Sequence, residues 1–271
     1  MWRALLPNMS GPDPELQSTE EDEEEDITSL PTREEAGREM LESGYLADTT
    51  VVCADGQEIM AHSHLLVCYS VYFRNAFKSG MQESKHKKFK LENSSSDPHL
   101  NLGRDVVYRA LEYLYSGSCT EHQDADAFSK NIHLSIDLHV LGDYLHIGGL
   151  RQYAASRFGE LAEDWVQLRP VLPEAIKAIY SKPGSVVSGI WPKLVVVLAR
   201  QGRRLSHPDM ADCIHTLRDY GDCAADVMLG IVQREVEKHC NRCGNSFTVV
   251  EGERKKSYFH CFHCGRRLSF D

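Results

Sequence analysis

The chain has 271 residues, of which 40 are acidic and 30 basic, and its formal net charge at pH 7 is -10. This length allows a substantial core or two modest domains, and the overall acidity excludes the whole molecule as an electrostatic partner of nucleic acid. Met1–Gly11 lacks the apolar region of a secretory signal, and the apolar run Leu194–Ala199 is too short to span a bilayer. We therefore expect an intracellular protein of the cytoplasm and/or nucleus, with reduced thiols and no membrane partner.

Residues 1–37 are predicted to form a disordered acidic tail. They are rich in Pro, Ser and acidic residues, and the run Glu20–Asp26 is acidic throughout. Such a segment has too few apolar groups to offset the entropy of ordering its backbone. The alternative is an acidic docking segment for a basic partner.

Short strands and helices are predicted next. The β-branched run Thr49–Cys53 and the segment Glu58–Ala61 flank an Asp-Gly turn signal, which predicts a hairpin. Apolar residues then recur at spacings of three and four up to Phe77, which favours two short amphipathic helices meeting near Tyr69-Ser70. A polar loop is predicted at Ser84–Lys88, followed by a short strand at residues 89–91.

The remainder up to residue 238 is predicted to be helical. A helix over Asp105–Tyr115 buries one apolar face and ends at Gly117. Another helix, marked by Leu138, Leu141 and Leu145, is predicted to end at Gly148-Gly149, and a further one follows to Leu161. Residues 163–238 are predicted to form an all-helical extension, broken at Pro170, Pro173, Pro183-Gly184 and Pro208. Its last helix would bury Met228, Ile231, Val232 and Val236.

Residues 38–162 resemble the BTB/POZ family. The resemblance rests on an ordered set of short elements over about 120 residues: Asp48, Ala61-His62, Ser70-Val71-Tyr72-Phe73, Met81-Gln82-Glu83-Ser84, Phe89-Lys90-Leu91, Tyr113-Leu114-Tyr115-Ser116-Gly117 and Leu138–Tyr144. It implies an α+β fold, the BTB/POZ fold, in which a small mixed sheet is covered by helices. Independently of the family, a sheet that buries one face under helices with apolar stripes is consistent with an α+β core.

The resemblance implies protein–protein binding. Family members bind themselves, repressors or the cullin scaffold of ubiquitin ligases, and cullin-binding members present a hydrophobic-x-Glu element that Met81 and Glu83 match. The hypothesis is that Met81 anchors the partner while Glu83 fixes its register, and the alternative is a turn that serves only the fold. Repressor-type members pair the leading Asp with a basic residue just after the Ala-His, where this chain has Ser63. We expect Asp48 and His62 to make structural hydrogen bonds.

Residues 239–271 are predicted to form a zinc ribbon. Cys240, Cys243, Cys261 and Cys264 form two C-x2-C-Gly motifs with seventeen residues between them, a spacing typical of zinc sites. Four thiolates complete a closed tetrahedral shell, so the predicted cofactor is one structural Zn²⁺. Strands are predicted at residues 246–250, 256–260 and 267–270. A dithiol redox pair and unmetallated surface thiols are the alternatives.

The predicted function is therefore a non-enzymatic interaction or scaffold module. We expect self-association as a homodimer, a possible role as substrate adaptor of a cullin-type ubiquitin ligase, and no small-molecule substrate. The alternative is a transcription-associated regulator whose ribbon contacts DNA or the transcription apparatus, since basic and aromatic residues lie around the cysteine motifs. Nucleic acid is not the favoured partner, because several of these aromatics fall in predicted strands. The other five thiols are expected to be buried: Cys53, Cys68, Cys119, Cys213 and Cys223.

Overall fold

The computed structural model describes residues 30–80, 82–92, 100–202, 205, 207–232, 235–239, 243, 246–250, 258–260 and 267–269. Its helices are α1 (Arg33–Ser43), α2 (Ser63–Tyr69), α3 (Val71–Lys78), α4 (Gln82–His86), α5 (Arg104–Ser116), α6 (Ala127–Tyr144), α7 (Gly148–Ala162), α8 (Trp165–Tyr180), α9 (Trp191–Gln201), α10 (Ala211–Asp219) and α11 (Gly221–Val232). Its strands are β1 (Thr49–Val52), β2 (Glu58–Ala61), β3 (Lys88–Lys90), β4 (Glu235–His239), β5 (Ser246–Val250), β6 (Tyr258–His260) and β7 (Arg267–Ser269). Among the described residues, no helix is both long and apolar enough to cross a membrane.

A three-stranded mixed sheet lies at the centre of the first domain. Its order is β2-β1-β3, with β1 antiparallel to β2 and parallel to β3. The predicted hairpin is confirmed, and its turn uses Gly56 at φ +80°, a conformation that glycine adopts without strain. Val51 pairs with Ile59 on one side and Phe89 on the other, and all three are buried. These side chains form the inner face of the sheet.

Helices cover that inner face. The Phe73 ring of α3 meets Phe89 edge-on, with ring centroids 5.8 Å apart, and Phe77 lies 4.5 Å from Phe89. Aromatic pairs at these distances add to the stabilisation from burial alone. Phe73 is completely buried, so truncating it would cost about 3–5 kcal/mol. The α+β arrangement predicted from the sequence is confirmed for this domain.

The helical extension shares the same core. Buried residues of α8 and α9, such as Leu168, Leu172 and Leu194, belong to one apolar cluster with those of the sheet domain. The prediction that Pro170 and Pro173 break the helix is wrong, because α8 runs through both. Each proline removes one backbone donor, but the carbonyls left without that donor belong to exposed residues, where water satisfies them. The predicted breaks at Pro183-Gly184 and Pro208 are confirmed.

The predicted tail extends five residues too far, because α1 begins at Arg33 whereas the tail was predicted to run to residue 37. The Thr32 hydroxyl accepts from the Glu35 amide at 3.2 Å, and the Glu35 carboxylate accepts from the Thr32 amide at 2.8 Å. This capping box satisfies two amides that have no partner within the helix. Residues 1–29, including the acidic run Glu20–Asp26, lie outside the described residues.

Three further predictions are corrected. Ser84–Lys88 is not a loop, since α4 occupies Gln82–His86; its acidic first turn and basic last turn suit the helix dipole. Gly148-Gly149 do not end a helix but begin α7. The last helix ends at Val232, and Val236 lies in β4, paired with Val249 of β5. The alternation in Glu235-Val236-Glu237 is the strand signal that favours this pairing.

Candidate docking surface

The predicted partner-binding element lies at α4. Met81 is outside the described residues, whereas Glu83 lies in the first turn of α4 with its side chain exposed to solvent. Gly80, at φ +67°, turns the chain between α3 and α4, and this conformation favours glycine. The turn therefore presents the Glu83 carboxylate on a short helix that projects from α3.

Two tyrosines form a pair between α3 and α6, and one of them, Tyr72, lies within electrostatic reach of Glu83. The rings of Tyr72 on α3 and Tyr144 on α6 lie 5.3 Å apart, and both are half-buried. Burial raises the pKa of the Tyr72 hydroxyl, and the neighbouring Tyr144 hydroxyl and Glu83 carboxylate raise it further. The Glu83 charge is therefore close enough to act on Tyr72. We call Glu83, Tyr72 and Tyr144 the α4 surface.

The α4 surface is held by the join between α3 and α6. The Ser70 hydroxyl donates to the Leu145 carbonyl at 2.7 Å and accepts from the Phe73 amide at 3.2 Å. Ser70 is completely buried, so these bonds also satisfy a polar group shielded from water. Tyrosines are enriched at protein contacts, and an exposed carboxylate suits the polar rim of such a surface.

Asp48 has the structural role predicted for it. Its carboxylate accepts from the Ser63 amide and hydroxyl and from the Lys87 ammonium, each at 2.7 Å. Burial acts to raise the pKa of Asp48, but these three donors outweigh it and hold the pKa well below its usual range. The sequence has Ser63 at the position where repressor-type members have the basic partner of this aspartate. Lys87 supplies that charge instead, so the absence of a basic residue at Ser63 does not exclude a charge pair in this region.

His62 also serves the fold, as predicted. It is 5% exposed. Its Nε2 donates to the Tyr45 carbonyl at 2.8 Å, and its Nδ1 therefore accepts from the Tyr115 hydroxyl at 2.8 Å. Both ring nitrogens of His62 therefore have a hydrogen-bond partner, and these two bonds connect the loop after α1 to the end of α5.

Sequence reasoning missed Glu112, a buried carboxylate that accepts hydrogen bonds from several donors. It is 2% exposed and accepts from Arg38 Nε at 2.9 Å, Arg109 Nη1 at 3.3 Å and the Thr120 amide at 3.0 Å. The Thr120 hydroxyl is a fourth donor. Burial acts to raise the pKa of Glu112, but the bonds from Thr120, Arg38 and Arg109 lower it below its ordinary value. A glutamate next to Leu111, inside an apolar helix face, was the available signal.

The predicted zinc ligands fall mostly outside the described residues. Cys240, Cys261 and Cys264 are not described, and Cys243 lies in an exposed turn. Within the described part of the chain, no group of three or more His, Cys, Asp or Glu side chains is placed to hold a metal ion. Four of the other five thiols are buried as predicted, but Cys68 is exposed. Burial raises the pKa of each buried thiol, to about 11 or 12: Cys53, Cys119, Cys213 and Cys223.

Comparison with known proteins agrees with this architecture. Residues 38–152 match the family model of the BTB/POZ domain, so this part of the chain is a BTB/POZ domain, a protein-interaction module. The chain is also similar to Kelch-like protein 40b of Danio rerio, with 28% identity over 216 residues that cover 67% of this chain and 34% of that protein.

The similarity to this relative extends past the BTB/POZ domain. The match covers 67% of the chain, which is more than residues 1–152 together, so it continues beyond residue 152 wherever it begins. Part of the helical extension is therefore included. The chain spans about a third of the length of the curated relative.

Proposed function

We propose that this protein is a substrate adaptor that docks on a cullin scaffold through the α4 surface and Met81. Support comes from the exposed Glu83 carboxylate on α4 and from the half-buried pair Tyr72 and Tyr144, of which Tyr72 lies within electrostatic reach of Glu83. The BTB/POZ match covers this region, and the hydrophobic-x-Glu element of cullin-binding members corresponds to Met81 and Glu83.

Each side chain has a distinct proposed role. Met81 is unbranched and polarizable, so it fills an apolar pocket on the partner. Glu83 contacts a donor at the rim of that pocket and fixes the register. The tyrosines contribute apolar area with polar tips, which suits a contact surface that also meets water.

Affinity purification from cells tests this proposal. The full chain should recover a cullin, and Met81→Ala/Glu83→Ala should lose most of it. Glu39→Ala is the matched control, because Glu39 is also exposed but lies on α1, which packs on α5 rather than on α3 or α4. Equal cullin recovery by the double variant and the control would remove the proposal.

We further propose that the chain self-associates through the loop after α1 and the edge strand β2. Tyr45, Leu46 and Met60 are 74%, 75% and 47% exposed, and Gly44 packs beside the Met60 side chain. Three large apolar side chains grouped on one surface favour a protein contact. They lie beside β2, whose outer edge is not paired in the described sheet.

Sedimentation analysis of the purified chain tests the second contact. Tyr45→Asp/Leu46→Asp should shift the chain towards monomer. Val166→Asp is the control, because Val166 is 80% exposed on α8, away from this surface. A wild-type chain that is monomeric at all concentrations would contradict self-association.

A further inference from the structure

Two β-hairpins near the C-terminal end share one layout. Strand β4 pairs antiparallel with β5, and the last pair before the turn is His239 with Ser246. Strand β6 pairs antiparallel with β7, and the corresponding pair is His260 with Arg267. Each hairpin therefore has a six-residue connection, 240–245 in the first and 261–266 in the second.

The two connections also match in sequence. The first and fourth residues are cysteines in both, Cys240 and Cys243 in one, Cys261 and Cys264 in the other, and the fifth residue is glycine in both. In sequence, each cysteine motif thus begins directly after the first strand of its hairpin, Cys240 after β4 and Cys261 after β6. This equivalence was not visible from the sequence alone, because β4 was predicted as helix.

We propose that one Zn²⁺ binds Cys240, Cys243, Cys261 and Cys264 and thereby cross-links the two hairpins. Two thiolates separated by two residues reach the same ion from one turn, and two such turns complete a tetrahedral shell of four sulfurs. Soft thiolate ligands select zinc over magnesium or calcium. The shell is closed, so the ion is structural and leaves no position for a substrate.

The strand pairing indicates why a cross-link is needed. Strands β4 and β5 form one two-stranded sheet and β6 and β7 another, and the described residues show no pairing between the two. An isolated two-stranded hairpin is marginal in water, and β6 and β7 have only three residues each. A metal shared by both connections stabilises hairpins that are too short to be stable alone.

The charge of the flanking residues favours bound thiolates. A zinc ion with four thiolates carries a net charge of about -2. Arg242 lies between the first two cysteines in sequence, and Arg266 and Arg267 follow the last. These cations partly offset the negative charge of the bound thiolates.

Metal analysis of the full chain, purified under reducing conditions without chelator, tests the proposal. Wild type should hold about one zinc per chain by mass spectrometry, and Cys243→Ser and Cys261→Ser, one in each motif, should lose most of it. Cys68→Ser is the control and should keep the metal, because Cys68 is an exposed thiol of α2 outside both motifs. Far-ultraviolet circular dichroism verifies that the variants retain the helical domains.

Cobalt substitution gives a second measurement. Adding Co²⁺ to the chelated, fully reduced wild-type chain should produce the charge-transfer and d–d absorption of a tetrahedral cobalt thiolate. The motif variants should change or lose this spectrum, and the control should match wild type. The proposal is overturned if reduced wild type binds no zinc and gives no such spectrum, if the motif variants keep the full metal content, or if each motif is recovered as a disulfide without metal.

Discussion

The buried carboxylate of Glu112 should determine whether α1 stays packed on α5. It joins Arg38 of α1 to Arg109 of α5 and to Thr120 in the loop beyond α5. In Glu112→Ala, two guanidinium groups lose a shared anion and Thr120 loses an acceptor. Removing one member of a buried ion pair costs about 3–5 kcal/mol.

The lower end of that range applies here. The Arg38 and Arg109 side chains are 31% and 18% exposed, so water replaces part of the lost interaction. We expect Glu112→Ala to lower the free energy of unfolding by about 3 kcal/mol. Glu112→Gln should cost about 2 kcal/mol, because the amide keeps one accepting oxygen.

Urea unfolding followed by circular dichroism measures these changes. With a slope of about 2 kcal/mol per molar urea, a loss of 3 kcal/mol lowers the midpoint by about 1.5 M. Hydrogen exchange should show that the α1 amides lose protection before those of α5. Glu39→Gln, an exposed change on the same helix, is the control. A loss below about 1 kcal/mol in Glu112→Ala, with α1 still protected, would refute the reasoning.

The effect should depend on pH in a defined direction. The pKa of Glu112 is lower in the folded protein than its ordinary value of 4.5. A carboxylate of this kind stabilises the fold fully above the unfolded pKa, and the stabilisation is lost as the pH falls through the folded pKa. The difference between wild type and Glu112→Gln should therefore be constant from pH 7 to about 5 and shrink below the ordinary value of 4.5. A difference that grows as the solution is acidified would contradict the predicted direction.

Three further outcomes are expected. Gly37→Ala should destabilise the chain by about 2 kcal/mol, because a Cβ at this position would overlap the Tyr115 carbonyl oxygen. Gly148→Ala is the control, since a Cβ at Gly148 would meet no atom within 4 Å. Equal effects of the two substitutions in thermal melts would contradict the close packing at Gly37. Pro170→Ala should raise the melting temperature, because it restores a backbone hydrogen-bond donor inside α8. A lower melting temperature of the variant would contradict this prediction. Brief alkylation of the native protein should modify Cys68 faster than the buried thiols, and mass spectrometry would refute this if they react equally. The buried thiols are Cys53, Cys119, Cys213 and Cys223.

Local patterns in the sequence were enough to predict the BTB/POZ core. The β-branched run of β1, the Asp-Gly turn and the three-four spacing of α2 and α3 each depend on neighbours in the chain, and each is confirmed. Gly117 ends α5 at φ +84°, as its position predicted. The C-terminal strands at 246–250, 258–260 and 267–269 also fall within the predicted segments.

The features that sequence reasoning missed are mostly contacts between distant segments. Lys87 reaches Asp48 across 39 positions, and Arg38 reaches Glu112 across 74, so neither pair has a local signal. Helix α4 is only five residues long and carries no apolar periodicity, which is why it was predicted as a loop. The capping box formed by Thr32 and Glu35 is a local signal that the sequence does carry, at the end of the acidic segment.

The decisive measurement is an equilibrium titration of the purified full chain with a purified cullin N-terminal region by calorimetry. We predict micromolar or tighter binding that Glu83→Lys weakens at least tenfold, equivalent to about 1.4 kcal/mol, whereas Glu39→Lys, with the same charge change on α1, leaves Kd unchanged. The absence of binding by the wild-type chain, or equal affinities for the two variants, would contradict docking through the α4 surface.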